Sequence, residues 1–85
     1  MHLSRIWTIQ LYRRSPGDCD VADLRVSGSN PPLAERSAQI SLRNAQADDT
    51  TPGHRRPLHA DLVDEMDGTV RPYVVNNAGE IEAIY

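Results

Sequence analysis

Apolar and polar residues alternate on both sides of a short turn near the C-terminal end of the sequence. The loop Asn77-Ala78-Gly79 suits a type I turn followed by a left-handed residue, where glycine carries no Cβ penalty. The pattern predicts a hairpin that sets Val75 opposite Ile81. One face would hold Tyr73, Val75, Ile81, Ala83 and Tyr85, and the other Asn76, Glu80 and Glu82 with Val74 and Ile84.

A second alternating run covers residues 3–12 and predicts a strand. Its apolar side would hold Leu3, Trp7, Ile9 and Leu11, with Trp7 as a core anchor. Pro16 and Gly17 then predict a type II turn over residues 15–18. Residues 21–26 alternate again, with Ala22, Leu24 and Val26 inward. The two runs predict an N-terminal hairpin, which ends within residues 27–30.

The pattern over residues 31–44 leaves helix and strand open. Asn30 is a good helix N-cap and Pro31 suits the first helical position. A helical apolar stripe would be Leu33, Ser37 and Ile40, and it leaves Leu42 out of line. A strand over residues 37–43 fits about equally, because Ala38, Ile40 and Leu42 alternate with polar residues.

Residues 45–57 (AQADDTTPGHRRP) predict a long polar loop, which we expect to be mobile. Beyond it, Leu58, Leu62, Val63 and Met66 recur at helical spacing up to Gly68, so a helix is favoured there. The rival interpretation is a hairpin with Asp67-Gly68 in a type I′ turn. Pro72 cannot donate to a ladder, so the strand around it should be an edge strand or begin after it.

The predicted fold is therefore α+β, with N- and C-terminal antiparallel β-hairpins and one or two short helices packed on them. The alternative is a small all-β sandwich or barrel. Eighty-five residues make a single small domain over 1–85, with the polar loop at 45–57 inside it.

Composition narrows the class of protein and its compartment. All nine basic residues are arginine, which favours a GC-rich bacterial or phage source. One cysteine excludes an internal disulfide framework, and residues 1–12 lack the continuous apolar run of a signal peptide. No apolar run approaches the ~20 residues that span a bilayer. We expect a cytoplasmic protein without a membrane partner.

No residue in the sequence is a strong candidate for catalysis or metal binding. His54 and His59, with Asp61 and Asp64 behind them, do not match the spacing of a metal site, and a solvated polar loop is the better interpretation. The acids around Cys19 lack the glycine and the final glutamate of a calcium loop, and they disfavour a thiolate nucleophile. We therefore expect no catalytic residue, metal or cofactor, and no enzyme.

The sequence best fits a non-enzymatic protein-interaction module, such as a regulator, an inhibitor or an assembly subunit. Its partner would be another protein or a second copy of itself. Self-association through the C-terminal edge strand would use Val74, Ile81, Ile84 and Tyr85. The alternative partner is nucleic acid, bound through Tyr12, Arg13, Arg14, Arg55 and Arg56, although the sequence pI of about 5.4 counts against it.

Overall fold

The computed structural model describes residues 5–47 and 55–84, which form a five-stranded antiparallel sheet with a helix on one face. The strands lie in the order β2-β1-β3-β4-β5, and the sheet is not closed into a barrel. The α+β prediction is confirmed, and the all-β alternative is wrong. The elements are β1 (Arg5–Tyr12), β2 (Leu24–Gly28), α1 (Pro31–Ala47), β3 (His59–Asp64), β4 (Val70–Val75) and β5 (Ile81–Ala83).

Strand β1 lies inside the sheet and supplies much of the core. Trp7, Ile9 and Leu11 are each at most 2% exposed, as their alternation predicts. The indole N–H of Trp7 donates to the C=O of Gly28 at 3.1 Å, so the polar atom of this buried ring is satisfied. Leu3, the first residue of the predicted apolar side, lies outside the described residues.

Strands β1 and β2 form the predicted N-terminal hairpin, with Trp7 opposite Val26. Gly17 has a φ of 85°, and the N–H of Asp18 donates to the C=O of Ser15 at 3.2 Å, as the predicted turn requires. The strand boundary was misplaced, because β2 begins at Leu24 and Ala22 is exposed.

The ambiguous segment is helix α1, so the strand interpretation of residues 37–43 is wrong. Asn30 caps the helix, since its side-chain oxygen accepts from the N–H of Leu33 at 3.1 Å. The predicted apolar stripe is also wrong, because Leu33 and Ile40 are 44% and 54% exposed. The buried positions are Ala34, Ala38 and Leu42, which recur at i, i+4 and i+8.

The small side chain of Ala34 allows α1 to pack closely on the sheet. A Cβ added to Gly28 would lie 2.6 Å from the backbone nitrogen of Ala34, so β2 and the start of the helix touch backbone to backbone. The helix approaches β2 more closely than any other strand. It extends to Ala47, into the segment predicted as a polar loop, and residues 48–54 of that segment lie outside the described residues.

The helix predicted to end at Gly68 is instead strand β3 and its turn into β4. Ala60, Leu62 and Asp64 point into the core in strict alternation. Met66 is 73% exposed, which a core-facing helix would not allow. Asp64 conceals the alternation in the sequence, because it is an acid at an inward position.

The β3–β4 connection is a hairpin turn, but not of type I′. Its N–H to C=O bond runs from Gly68 to Asp64 at 2.8 Å, and Gly68 has a φ of 78°. A type I′ turn would need a positive φ at Asp67 as well, and no described non-glycine residue has one. Strand β4 begins at Val70, before Pro72, and β5 pairs with it only over residues 73–75. Pro72 thus lies where β4 has a single neighbour.

The C-terminal hairpin forms with the predicted register, including Val75 opposite Ile81 and Tyr73 opposite Ala83. Its Tyr73 face packs towards α1, where the Tyr73 hydroxyl donates to the carboxylate of Glu35 at 3.0 Å. No helix among the described residues is long and apolar enough to cross a membrane.

The opposite face of the sheet is covered by no described element, and we call it the open face. It carries an apolar group at one end of the sheet and polar groups at the centre. Its residues are Ile6, Thr8, Gln10, Tyr12, Arg25, Ser27, His59, Asp61, Val63, Val70, Pro72, Val74 and Glu82.

Candidate interaction site

The two edges of the sheet differ in how their backbone groups are satisfied. At β5, the N–H of Asn76 donates to the C=O of Glu80, so the backbone groups of Glu80 point towards β4. Because these groups alternate along a strand, the backbone N–H and C=O groups of Ile81 and Ala83 point away from the sheet. The outward N–H of Ile81 donates to the side-chain oxygen of Gln39 on α1 at 2.7 Å. The helix therefore occupies part of this edge, which spans only Ile81–Ala83.

At the other edge, the backbone direction of β1 determines which groups of β2 face outward. The C=O of Ile6 accepts from the N–H of Glu65, just beyond β3, at 3.2 Å. The N–H of Leu11 instead donates to the carboxylate of Asp23, just ahead of β2, at 3.0 Å. Because the direction of the backbone groups alternates along a strand, the N–H and C=O groups of the odd-numbered residues of β1 point towards β2.

It follows that Trp7 exchanges backbone hydrogen bonds with Val26, its partner in register. The neighbours of Val26, Arg25 and Ser27, then point their N–H and C=O groups away from the sheet. Within residues 5–47 and 55–84, no group bonds to them. We call these outward groups the β2 edge, and they are a template for a further strand.

A groove runs beside the β2 edge, between the strand and the flank of α1. Its volume is about 420 Å³, and its lining residues are Ile6, Arg25, Val26, Ser27, Ser37 and Ser41. Ser37 and Ser41 lie one helical turn apart, so the wall of the groove on the helix side is made of small side chains. The groove thus leaves room beside the strand for the side chains of an added segment.

Arg25 does not obstruct the β2 edge. Its guanidinium lies across the open face and donates to Glu65 from Nη2 at 2.9 Å and from Nε at 3.3 Å. This hydrogen bond raises the pKa of Arg25 and lowers the pKa of Glu65. Charged side chains, prolines and bulges usually protect exposed edges, and the β1–β2 register runs without a bulge. The one charge on β2 is neutralised within its own sheet.

The four residues predicted for self-association do not form one surface. Val74 lies half-buried on the open face, and Ile84 is 54% exposed. Ile81 lies on the other face, packed against the core. Tyr85 lies outside the described residues. Pairing through β5 stays a prediction, with Ala83 as its outward position.

The structure does bring the arginines of the nucleic-acid alternative to one end of the sheet. Arg13, Arg14 and Arg55 line one hollow of about 280 Å³. Arg56 lies beside it, where its C=O accepts from the Arg13 guanidinium at 2.6 Å. Asp20 offsets part of this charge, at 3.5 Å from the guanidinium of Arg55.

Tyr12, the predicted stacking surface, is already engaged. Its ring stacks on His59 with the centroids 5.1 Å apart and the planes 19° apart. Burial, with the Asp61 carboxylate beside it, raises the pKa of Tyr12. One face of the ring is therefore occupied by a protein side chain.

Cys19 and the histidines are the remaining candidate groups. The Cys19 thiol lies 3.4 Å from the C=O of Leu11 and 3.2 Å from the C=O of Val21, as a donor to both. The residues described contain no group of three or more His, Cys, Asp or Glu that could hold a metal ion. His54, one of the two predicted histidines, lies outside them.

Asp18 caps the turn that follows β1. Its carboxylate accepts from the backbone N–H groups of Arg13, Arg14 and Ser15 at 2.6, 2.7 and 3.0 Å. These bonds, that of Arg13 foremost, lower the pKa of Asp18 to about 2. The acid of the rejected calcium loop thus binds backbone amides of its own chain.

No protein-family model, curated protein or solved structure matches this chain.

Proposed function

We propose that this protein is a non-enzymatic interaction module whose partner adds an extended segment to the β2 edge. The observation that carries the proposal is the pair of outward residues, Arg25 and Ser27, whose backbone groups have no bonding partner among the described residues. Main-chain hydrogen bonds to such an edge supply affinity in strand addition. We expect the interaction to take place in the cytoplasm.

The contrast between the two edges supports the choice of β2. At β5, Gln39 takes up the N–H of Ile81, so a further strand would have to displace it. At β2 no described residue has to be displaced, and the groove lies beside the strand. Alternate side chains of an added segment would enter the groove, where Ile6 and Val26 offer apolar contact and Ser37 and Ser41 offer hydroxyls.

Proline variants at the two edges test the proposal. Ser27→Pro removes an outward N–H from β2, and Ala83→Pro does the same at β5. Edge strands tolerate proline where the N–H faces solvent, so both variants should fold. The probe is a random peptide library displayed on phage and selected against the wild-type protein.

We expect selected peptides to lose binding to Ser27→Pro and to keep it with Ala83→Pro. Fluorescence anisotropy with synthetic copies of those peptides measures the difference. A library that yields no binder to a monomeric protein, or binders that treat the two variants alike, would contradict strand addition at β2.

A second candidate function is nucleic-acid binding at the arginine end. The observation in its favour is that Arg13, Arg14 and Arg55 line one hollow although Arg14 and Arg55 are far apart in sequence, and that Arg56 contacts Arg13 through its backbone C=O. Guanidinium groups in such a cluster can neutralise phosphates, and the affinity would fall as salt rises.

The test of this second function is anisotropy of labelled single-stranded and duplex oligonucleotides across a salt series. Binding that weakens with salt and disappears in the quadruple alanine variant of these arginines would support it. Arg36→Ala, on the exposed side of α1, is the matched control. Binding that survives the quadruple variant, or no binding at low salt, would exclude it.

A further inference from the structure

We infer that the segment added to the β2 edge is β2 of a second copy of this chain, related to the first by a two-fold axis at Val26. This inference rests on the proposed function and names its partner. The resulting dimer would join two five-stranded sheets into one continuous sheet with two helices on the same face.

The register of such a pair follows from the outward groups. Arg25 and Ser27 flank Val26 symmetrically, so antiparallel pairing about Val26 sets Arg25 of each copy opposite Ser27 of the other. Each of these pairs can exchange two backbone hydrogen bonds, and the two Val26 residues meet between them. The β2 edge is therefore complementary to itself.

Electrostatics permit this register. Like charges directly opposite one another destabilise a strand pair, and here each arginine meets a serine. The Arg25 side chain already lies over its own open face, on Glu65, with the shorter contact at 2.9 Å. Bringing two β2 strands together thus does not bring two unpaired guanidinium groups together.

The helix argues for a second copy over an isolated peptide. Since α1 lies closest to the edge strand, a two-fold axis there would bring α1 beside its equivalent. Ser37 and Ser41 on the flank of the helix are small enough for a close helix approach. Leu33 lies next to Ser37 on the helix surface, at i−4, and is 44% exposed. A second helix can cover this apolar side chain, and a single added strand cannot.

Sedimentation equilibrium over a range of protein concentrations tests the inference. We expect a concentration-dependent dimer whose dissociation constant rises about tenfold or more in Ser27→Pro, because the outward N–H is lost. Ser41→Glu should weaken the dimer similarly by placing two carboxylates at the helix flanks. Ala83→Pro and Ser15→Glu, the latter in an exposed turn, are the matched controls and should dimerise as the wild type does.

Amide hydrogen exchange gives an independent readout. The N–H groups of Arg25 and Ser27 should exchange more slowly as the protein concentration rises, and that of Ala83 should not change. Circular dichroism identifies any variant that does not fold, and Ser41→Glu and the exchange data decide the question if Ser27→Pro is such a variant.

A wild-type protein that is monomeric at every concentration overturns the inference. So does a dimer that Ala83→Pro disrupts and Ser27→Pro leaves intact, since that dimer pairs through β5. If the monomer binds library peptides that Ser27→Pro abolishes, the inference fails and the proposed function stands.

Discussion

The side-chain oxygen of Gln39 accepts a hydrogen bond from the backbone N–H of Ile81 at 2.7 Å, which ties α1 to the outer edge of β5. The helix thereby does two things, since it covers the core face of the sheet and satisfies a backbone group at one edge. The β2 edge receives no such contact among the described residues. The asymmetry between the two edges is the basis of the proposed function.

Gln39→Ala should lower the free energy of unfolding by about 1–2 kcal/mol, because the half-buried N–H of Ile81 loses its acceptor. Urea denaturation measures the change. Gln10→Ala is the matched control, since Gln10 is exposed on the open face. Equal effects of the two variants would show that the contact contributes nothing to stability.

Gly28→Ala should destabilise the protein by about 1–3 kcal/mol through overpacking. The added Cβ would lie 2.6 Å from the nitrogen and 2.8 Å from the Cα of Ala34, and backbone atoms cannot move aside as a flexible side chain can. Ser29→Ala, at an exposed position just after β2, is the control. A thermal melt in which Gly28→Ala matches the wild type would contradict the close helix–strand contact.

Large apolar residues made part of the fold predictable from the sequence. Strand β1 is predicted by the alternation of Trp7, Ile9 and Leu11. The register of the last hairpin is predicted by the glycine turn, which sets Val75 opposite Ile81. From Trp7 to Leu11 and at the paired positions of the last hairpin, every inward residue is apolar, so alternation and burial agree.

Helix α1 was left open and strand β3 was mispredicted for a common reason, which is that not all of their inward residues are large and apolar. Ala34 and Ala38 form the buried stripe of α1, while the larger Leu33 and Ile40 point to solvent. In β3 the acid Asp64 occupies a buried position, so the strand does not alternate in hydrophobicity.

The candidate site could not be predicted from local patterns at all. Strand β2 is an edge only because β3 pairs with the other side of β1, and that order depends on contacts between distant parts of the chain. The hydrogen bond from Ile81 to Gln39, which distinguishes the β5 edge, likewise joins residues that are 42 positions apart. The arginine cluster was predicted residue by residue, but its convergence became visible only in the structure.

Asp64→Ala should lower the free energy of unfolding by about 2–3 kcal/mol. The Asp64 side chain is 2% exposed, and its carboxylate accepts from the N–H of Met66 at 2.8 Å and from the Arg5 guanidinium at 3.0 Å. Arg5 is 41% exposed, so solvent screens that ion pair and the backbone contact carries more of the loss. Asp64→Asn keeps an acceptor for Met66 and should cost less in urea denaturation. Equal costs for the two variants would assign the effect to the charge.

The carboxylate of Asp18 should make the free energy of unfolding depend on pH in the acid range. Hydrogen bonds from backbone N–H groups, that of Arg13 first, lower its pKa in the folded protein to about 2, below its ordinary value of 3.8. A lowered folded pKa means that the unfolded chain binds the proton more readily. The stabilisation is therefore complete above about pH 4 and is lost as the pH falls towards 2.

Asp18→Asn removes this dependence, so the stability difference between wild type and variant should shrink as the pH falls from about 4 to about 2. Urea denaturation at several pH values measures that difference, and an NMR titration of the Asp18 carboxyl locates its pKa directly. A difference that stays constant over this window, or an Asp18 that titrates at its ordinary value, would show that the three amides do not hold the carboxylate in solution.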